Sequence, residues 1–241
     1  MRDALIQEIE GTVLREGLVA VTVDVFDTVL LRNTKPERLR FAQVARRQAK
    51  RLECPWRSVF AARLLCARIA YQTAPYVAGE RDGRIDDIFR LMLEALQRPA
   101  ERLAVLRQEE LQYEKLNLRL NRPLLALLGR LRSAGVRLYY LSDMYLTTAD
   151  VDSLLAHAAP EWRFDGGYVS SDHGVTKRGG GLYRRFLHDT GLSPMAVLHL
   201  GDSGDSDVRA ARQAGMRAVH TPRNRIFETS KVLRELFIHE C

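Results

Sequence analysis

Short, strongly apolar runs recur along the chain, and each gives way at once to a small or acidic residue. The first is Val19-Ala-Val-Thr-Val23, which runs into Asp24. Val136–Leu141 runs into Ser142-Asp143, and Ala196–Leu200 runs into Gly201-Asp202. Asp165-Gly-Gly-Tyr-Val-Ser-Ser171 and Met216–His220 are two weaker runs of the same kind. Runs this short and this apolar, the first of them β-branched and uncharged up to Asp24, are the signature of strands buried on both faces. Apolar residues at helical spacing fill the intervals. They predict helices over Pro123–Leu131, from a cap at Thr147 or Thr148 to His157, over Leu182–Thr190 and over Val208–Ala214. The residues before Gly17 repeat apolar positions at Leu5, Ile6, Ile9, Val13 and Leu14, which predicts a docked amphipathic helix. Strands alternating with helices predict an α/β fold with a doubly wound parallel sheet. The fixed hand of the crossovers then places all strand C-termini on one edge. Asp24, Ser142 and Asp202 are far apart in sequence, but they should meet there.

The alternation breaks between Asn33 and Leu120. Four apolar stripes of helical period follow one another, marked by Leu39–Leu52, Val59–Ala70, Ile85–Leu96 and Leu103–Leu118. They are separated by Cys54-Pro55, by Ala78-Gly79-Glu-Arg-Asp-Gly83 and by Arg98-Pro99. The expected organisation is therefore an α/β core made of 1–32 and 121–241, with an inserted α-helical domain at 33–120.

Charge sharpens this division. The net charge of +7 falls entirely on 33–120, which holds 18 basic and 11 acidic residues, while the rest of the chain balances. Arg38, Arg40, Arg46, Arg47, Lys50 and Arg51 crowd the first helix of the insertion. Such a run suits either a solvated helix face or recognition of an anionic small molecule. No aromatic stacking motif accompanies it, so no nucleic-acid partner is expected. No run is long enough for a membrane span. Cys54, Cys66 and Cys241 form no paired framework, which favours a reducing, cytoplasmic setting. The sequence leaves oligomeric state open.

A carboxylate at the end of a buried strand has to be compensated by a metal, a base or hydrogen bonds, and taken alone Asp24 reads as a turn residue beside Thr28. The order of motifs changes that. Asp24-Val-Phe-Asp-Thr28-Val-Leu, then Ser142 at a strand end, then Lys177 ahead of a helix, then Gly201-Asp202 followed by Ser206-Asp207, Ala210 and Gly215, resembles the haloacid dehalogenase-like (HAD) superfamily, and the match covers Val19 to His220. The helical insertion resembles that family's mobile cap. The resemblance implies that Asp24 is a nucleophile forming an aspartyl-phosphate. It implies Mg²⁺ held by Asp24, the Phe26 backbone carbonyl and Asp202, since hard oxygen donors suit that ion. Ser142 would donate to a phosphoryl oxygen, Lys177 would neutralise charge, and Asp207 would stand behind as the group orienting Lys177 or a metal-bound water. Asp143 would either contact substrate or cap the next turn. Asp205 reads as a helix N-terminal charge. His173 and His199 read as structural histidines, Arg178 as an alternate for Lys177, and Arg32 as a residue that could reach the site from the hinge.

One position departs from the family's phosphatases. They carry an acid/base Asp two residues after the nucleophile, where this chain has Phe26. Loss of a general acid/base typically lowers rate by ~10²–10⁴-fold. Asp27, one residue further, is the candidate substitute, although a one-residue shift in extended backbone reverses side-chain direction. The expected activity is Mg²⁺-dependent hydrolysis of a small phosphorylated metabolite. A dehalogenase-type hydrolase and a catalytically weakened module with a binding or regulatory role are the alternatives.

Overall fold

The computed structural model describes residues 3–223, 227, 229 and 230. The core is a five-stranded sheet in the order β5-β4-β1-β6-β7, all neighbours parallel. Its strands are β1 (Ala20–Val23), β4 (Arg137–Ser142), β5 (Gly166–Val169), β6 (Val197–Gly201) and β7 (Arg217–His220). Each residue of β1 and β6 is buried, because helices cover both faces. Alternate side chains divide the two faces. Val21, Val23, Leu138 and Leu200 join one core with α1 (Asp3–Arg15), α6 (Arg122–Ser133) and α7 (Thr148–Ala158). Ala20, Tyr139, Leu141 and Val197 join the other with α9 (Gly181–Thr190) and α10 (Ala210–Gln213). Burial of this kind contributes roughly 25 cal/mol per Å² of apolar surface. Thr147 starts α7 with a reciprocal capping box to Asp150.

The expected strand over 165–171 is shorter than its apolar run. β5 ends at Val169 and the chain turns into α8 (Ser170–His173), where the Ser170 and Ser171 side chains bind the Met144 amide and the Leu146 carbonyl. The helix expected over 208–214 likewise begins in a wide turn of π geometry at Gly204–Arg209 and is α-helical only over Ala210–Gln213.

The helical stretch leaves the core through a two-stranded antiparallel ribbon, β2 (Leu30–Leu31) against β3 (Arg119–Leu120). Between them lie α2 (Glu37–Leu52), α3 (Trp56–Thr73), α4 (Ile85–Ala95) and α5 (Leu103–Asn117), packed on one another. Much of the basic run on α2 is engaged inside this unit. Arg47 and Arg51 both bind Glu109, at 2.9 and 2.8 Å, and Arg46 lies over the Trp56 ring. Arg107 of α5 reaches the core, binding Asp150 at 2.6 Å and the Thr147 hydroxyl at 2.9 Å. Among the described residues no helix is long and apolar enough to cross a membrane. Cys54 and Cys66 are free thiols, and Cys241 lies outside the described residues.

Candidate active site

Parallel register sets the site. Val23 pairs with Tyr140 on one side and Leu200 on the other. The next residues, Asp24 and Gly201, therefore leave adjacent strands side by side, and Ser142 leaves β4 on the other flank. The central position of β1, with chain crossing to both sides, makes this edge the switch point where open α/β sheets bind ligands. The Asp24 amide donates to the Leu200 carbonyl at 2.8 Å, which ties the two strand ends together. Gly201 has to be glycine here, because a Cβ would overlap the Asp207 carboxylate.

Lys177 joins the motifs. Its Nζ donates to Asp24 Oδ1 at 2.5 Å and to Asp207 Oδ1 at 2.6 Å, and it is only 2% exposed. Asp207 in turn accepts from the Ser203 amide through Oδ2 at 2.9 Å. Behind it, His199 Nε2 lies 3.2 Å from Asp207 Oδ1, while its Nδ1 meets the Thr22 hydroxyl at 2.8 Å. Burial lowers the His199 pKa, so the ring is neutral and the network assigns the proton to Nε2, donating to Asp207. His199, read from sequence as structural, thus has a definite task in supporting Asp207.

The carboxylates outnumber the cation. One oxygen from each of Asp24, Asp202 and Asp207 lies within 4.8 Å of the others. Burial, set against Lys177 and reinforced by Asp207 and Asp202, pushes Asp24 up to about 7. Burial and the Asp207 and Asp27 charges push Asp202 up to about 6. Burial also works against charged Asp207 and charged Lys177. Lys177 overcomes it at Asp207, holding that carboxyl below the ordinary range, and Asp24 and then Asp207 overcome it at Lys177, holding the amine well above the ordinary lysine range. Asp24 Oδ2 is buried with no hydrogen-bond partner among the described residues. An orphaned carboxylate oxygen amid a surplus of negative charge is what a hard divalent cation satisfies, so this donor set fits Mg²⁺.

The loop after Asp24 is turned back on itself. The amides of Val29 and Leu30 both donate to the Val25 carbonyl, and Asp27 takes the left-handed conformation at φ 65°. Asp and Asn tolerate that region better than most residues. Asp27 Oδ1 accepts from the Arg32 amide at 3.1 Å and from Arg223 at 2.8 Å. The proposed acid/base is therefore already committed to two donors. The Phe26 ring lies under the Arg32 guanidinium, 4.2 Å from its centroid, and Arg32 also meets Glu114 at 3.5 Å. A small interior void of about 30 Å³ lies between the helical insertion and the core, lined by Arg32, Arg40, Phe41, Glu114, Met144 and Tyr145 among others.

Asp143, expected at substrate or at a turn, accepts from the backbone amides of Lys177 at 2.6 Å and Arg178 at 3.2 Å. It holds the loop that carries the lysine. Arg178 itself points to Asp205 at 3.7 Å and is exposed. Ser142 ends β4, buried, opposite Val169. His173 stacks on Tyr168. Two residues escaped the reading of the sequence. Glu80 of the insertion reaches Thr176, and Arg223 reaches Asp27. Only the run Gly179-Gly-Gly181, which leaves a crevice beside Glu80, hinted at either.

This arrangement defines a class. A family model described as haloacid dehalogenase-like hydrolase matches residues 11–215. The chain belongs to that family, and its parallel sheet flanked by helices is the family's Rossmann-like fold. Among similar solved structures is a HAD family enzyme of Bacteroides thetaiotaomicron, at TM-score 0.55 and 13% identity, covering 84% of this chain and 93% of that one. Another is the L-2-haloacid dehalogenase of Xanthobacter autotrophicus, at TM-score 0.56 and 18% identity, covering 92% and 83%. A third is a magnesium-bound HAD hydrolase of Bacillus subtilis, at TM-score 0.53 and 15% identity, covering 90% and 99%. At these identities the likeness is one of fold. Comparison with curated proteins finds no match.

Proposed function

We propose that the protein is a Mg²⁺-dependent phosphohydrolase that works through an aspartyl-phosphate on Asp24. The observation that carries this reading is the charge imbalance at the strand edge, three clustered carboxylates against one lysine. Asp24, Asp202 and the Phe26 carbonyl would hold Mg²⁺, with Asp207 behind them. The ion would supply the charge neutralisation that lets a carboxylate approach a phosphate dianion. The Asp24 carboxylate attacks phosphorus as the bond to the leaving oxygen breaks. Ser142 donates to a phosphoryl oxygen, and Lys177 offsets the growing negative charge. Asp143 keeps Lys177 aimed by fixing its backbone amide. Water then hydrolyses the aspartyl-phosphate, and Asp24 is restored. Arg32 and Arg40 line the seam with the cap, where among the described residues the buried Arg40 Nε has no hydrogen-bond partner.

The test is hydrolysis of p-nitrophenyl phosphate and a panel of sugar phosphates with Mg²⁺, comparing wild type with Asp24→Asn. Wild-type turnover should exceed the variant's by on the order of 10³-fold. Equal rates across the panel would sink this reading. A second reading, dehalogenase-type displacement on carbon, draws on Phe26. No acid stands at that position, and a departing halide needs no proton. Chloride release from a 2-haloacid, unaffected by chelator, would replace the first reading with the second.

A further inference from the structure

Lys177 is held at its backbone from two sides. On the core side Asp143 binds the amides of Lys177 and Arg178. On the other side the preceding residue, Thr176, gives both its amide and its hydroxyl to Glu80 Oε2, at 2.8 and 3.0 Å. Glu80 comes from the helical insertion, in the segment between α3 and α4. It is the last residue of a tight turn in which Val77 and Glu80 exchange both backbone hydrogen bonds, with Ala78 and Gly79 at positive φ. Its other oxygen, Oε1, accepts from Arg184 of α9 at 3.1 Å. The Thr176 hydroxyl receives the Gly179 amide at 2.9 Å, so the same carboxylate also orders the loop beyond Lys177.

The core is shaped to receive this turn. A Cβ on Gly179 would overlap the Glu80 carboxylate, and one on Gly181 would meet both Glu80 and Val175. A Cβ on Gly174 would stand 2.8 Å from Val77 Cγ2. Three glycines from one core loop thus face one turn of the insertion.

We propose that Glu80 is a positioning residue for Lys177: its carboxylate latches the insertion onto the Thr176–Gly181 loop, so that the lysine is fully aimed only when the insertion is seated. This requires no particular substrate, because the latch acts on the loop rather than on the reacting atoms. It ties closure over the site to the placement of the one ammonium that bridges Asp24 and Asp207.

Hydrogen exchange and NMR on the full chain test the latch, with three variants: Glu80→Ala, Glu80→Gln and Gly179→Ala. In Glu80→Ala, exchange at the Thr176, Lys177 and Gly179 amides should rise at least about tenfold, as expected for a lost charged hydrogen bond. The hydrogen-bonded ammonium resonance of Lys177 should broaden or move, with β1 and β6 amides unchanged. Glu80→Gln, which keeps an acceptor, should restore part of both signals. Gly179→Ala should loosen Val77 and Glu80 from the other direction, although the mutation lies in the core. That effect should vanish in the Glu80→Ala background, where the overlap is gone. If the two substitutions act additively, or if the Lys177 ammonium signal ignores Glu80, the latch is overturned. Retained order in both singles overturns it equally.

Discussion

Arg63 and Glu110 in the insertion are as deeply buried as Lys177 and Asp207 in the core, with side chains 1–2% exposed in each pair. The two clusters are nevertheless built on different principles. Arg63 meets Glu110 at 3.2 Å, and its guanidinium lies among the Phe41, Tyr145 and Phe89 rings. Glu110 also accepts the Tyr145 hydroxyl at 2.7 Å. One cation faces one anion, and aromatic faces complete the enclosure. Tyr145 belongs to the loop after β4, so this balanced pair fastens α3 and α5 to the core. At the strand edge one ammonium faces three carboxylates, and Asp24 and Asp202 are pushed up to about 7 and about 6. Balance marks a group that holds the fold. Surplus charge, with pKa values pushed away from their ordinary range, is the pattern that clusters at functional sites.

The largest effect should come from breaking the balanced pair. Arg63→Leu leaves Glu110 buried without its cation, which costs about 3–5 kcal/mol of stability. Replacing both, Arg63→Leu with Glu110→Leu, should recover most of that loss, because a well-packed apolar pair can match a buried ion pair. Urea unfolding of the two variants measures this. Equal losses in the single and the double would show that the aromatic enclosure, rather than the charge pair, carries the stability.

The unbalanced site should respond to Mg²⁺ in a way the insertion pair does not. Mg²⁺ at a hundred times its dissociation constant should stabilise the wild type by about 2.7 kcal/mol, read as a rise in Tm. Asp202→Asn should abolish that rise. In metal-free protein the same substitution should be stabilising by about 1–2 kcal/mol at neutral pH, since it removes a disfavoured charge. The pH dependence follows in sign. Asp24 and Asp202 have native pKa values above the 3.8 of an ordinary Asp, so the native state binds more protons than the unfolded chain between them. Metal-free stability should therefore fall as pH rises from about 4 to 7. Asp207, depressed in the native state, acts oppositely, but only as pH drops through the acid range below 3.8. Saturating Mg²⁺ should remove the Asp24 and Asp202 share of that slope and leave the share of Asp82, which burial pushes up to about 6 outside the carboxylate cluster. A flat profile without metal would mean that Lys177 alone balances the site.

How far these clusters could be read from sequence follows from their physics. β1 and β6 stood out because both faces are buried, so apolarity is continuous and its end is sharp. Asp24 and Asp202 sit at those ends and Ser142 at the end of β4, and parallel topology alone predicts their meeting. Lys177 and Asp207 needed the family's motif order as well. Glu80, Arg63 and Arg223 were not legible, because each acts through a partner more than 40 positions away. No local spacing records such a contact. Asp27 is a different case. Its place three residues after Asp24 suggested chemistry, and what the structure adds is a left-handed φ and two donors on its carboxylate, neither of which local sequence records.

Phe26 yields the smallest expected effect and the most informative one for chemistry. Phe26→Asp places a carboxyl two residues after Asp24, where the leaving group would accept a proton. Turnover of an alkyl phosphate should rise by about tenfold, within the usual contribution of a general acid. Turnover of p-nitrophenyl phosphate should barely change, since its leaving phenolate is stable without a proton. Arg32 sets the size of the gain. Its guanidinium now covers the Phe26 ring at 4.2 Å and would attract a carboxylate placed there. Phe26→Asp combined with Arg32→Gln should therefore exceed Phe26→Asp alone on the alkyl substrate. A gain on the aryl substrate of equal size would place the missing group at the hydrolysis of the aspartyl-phosphate instead, because that step is common to both substrates.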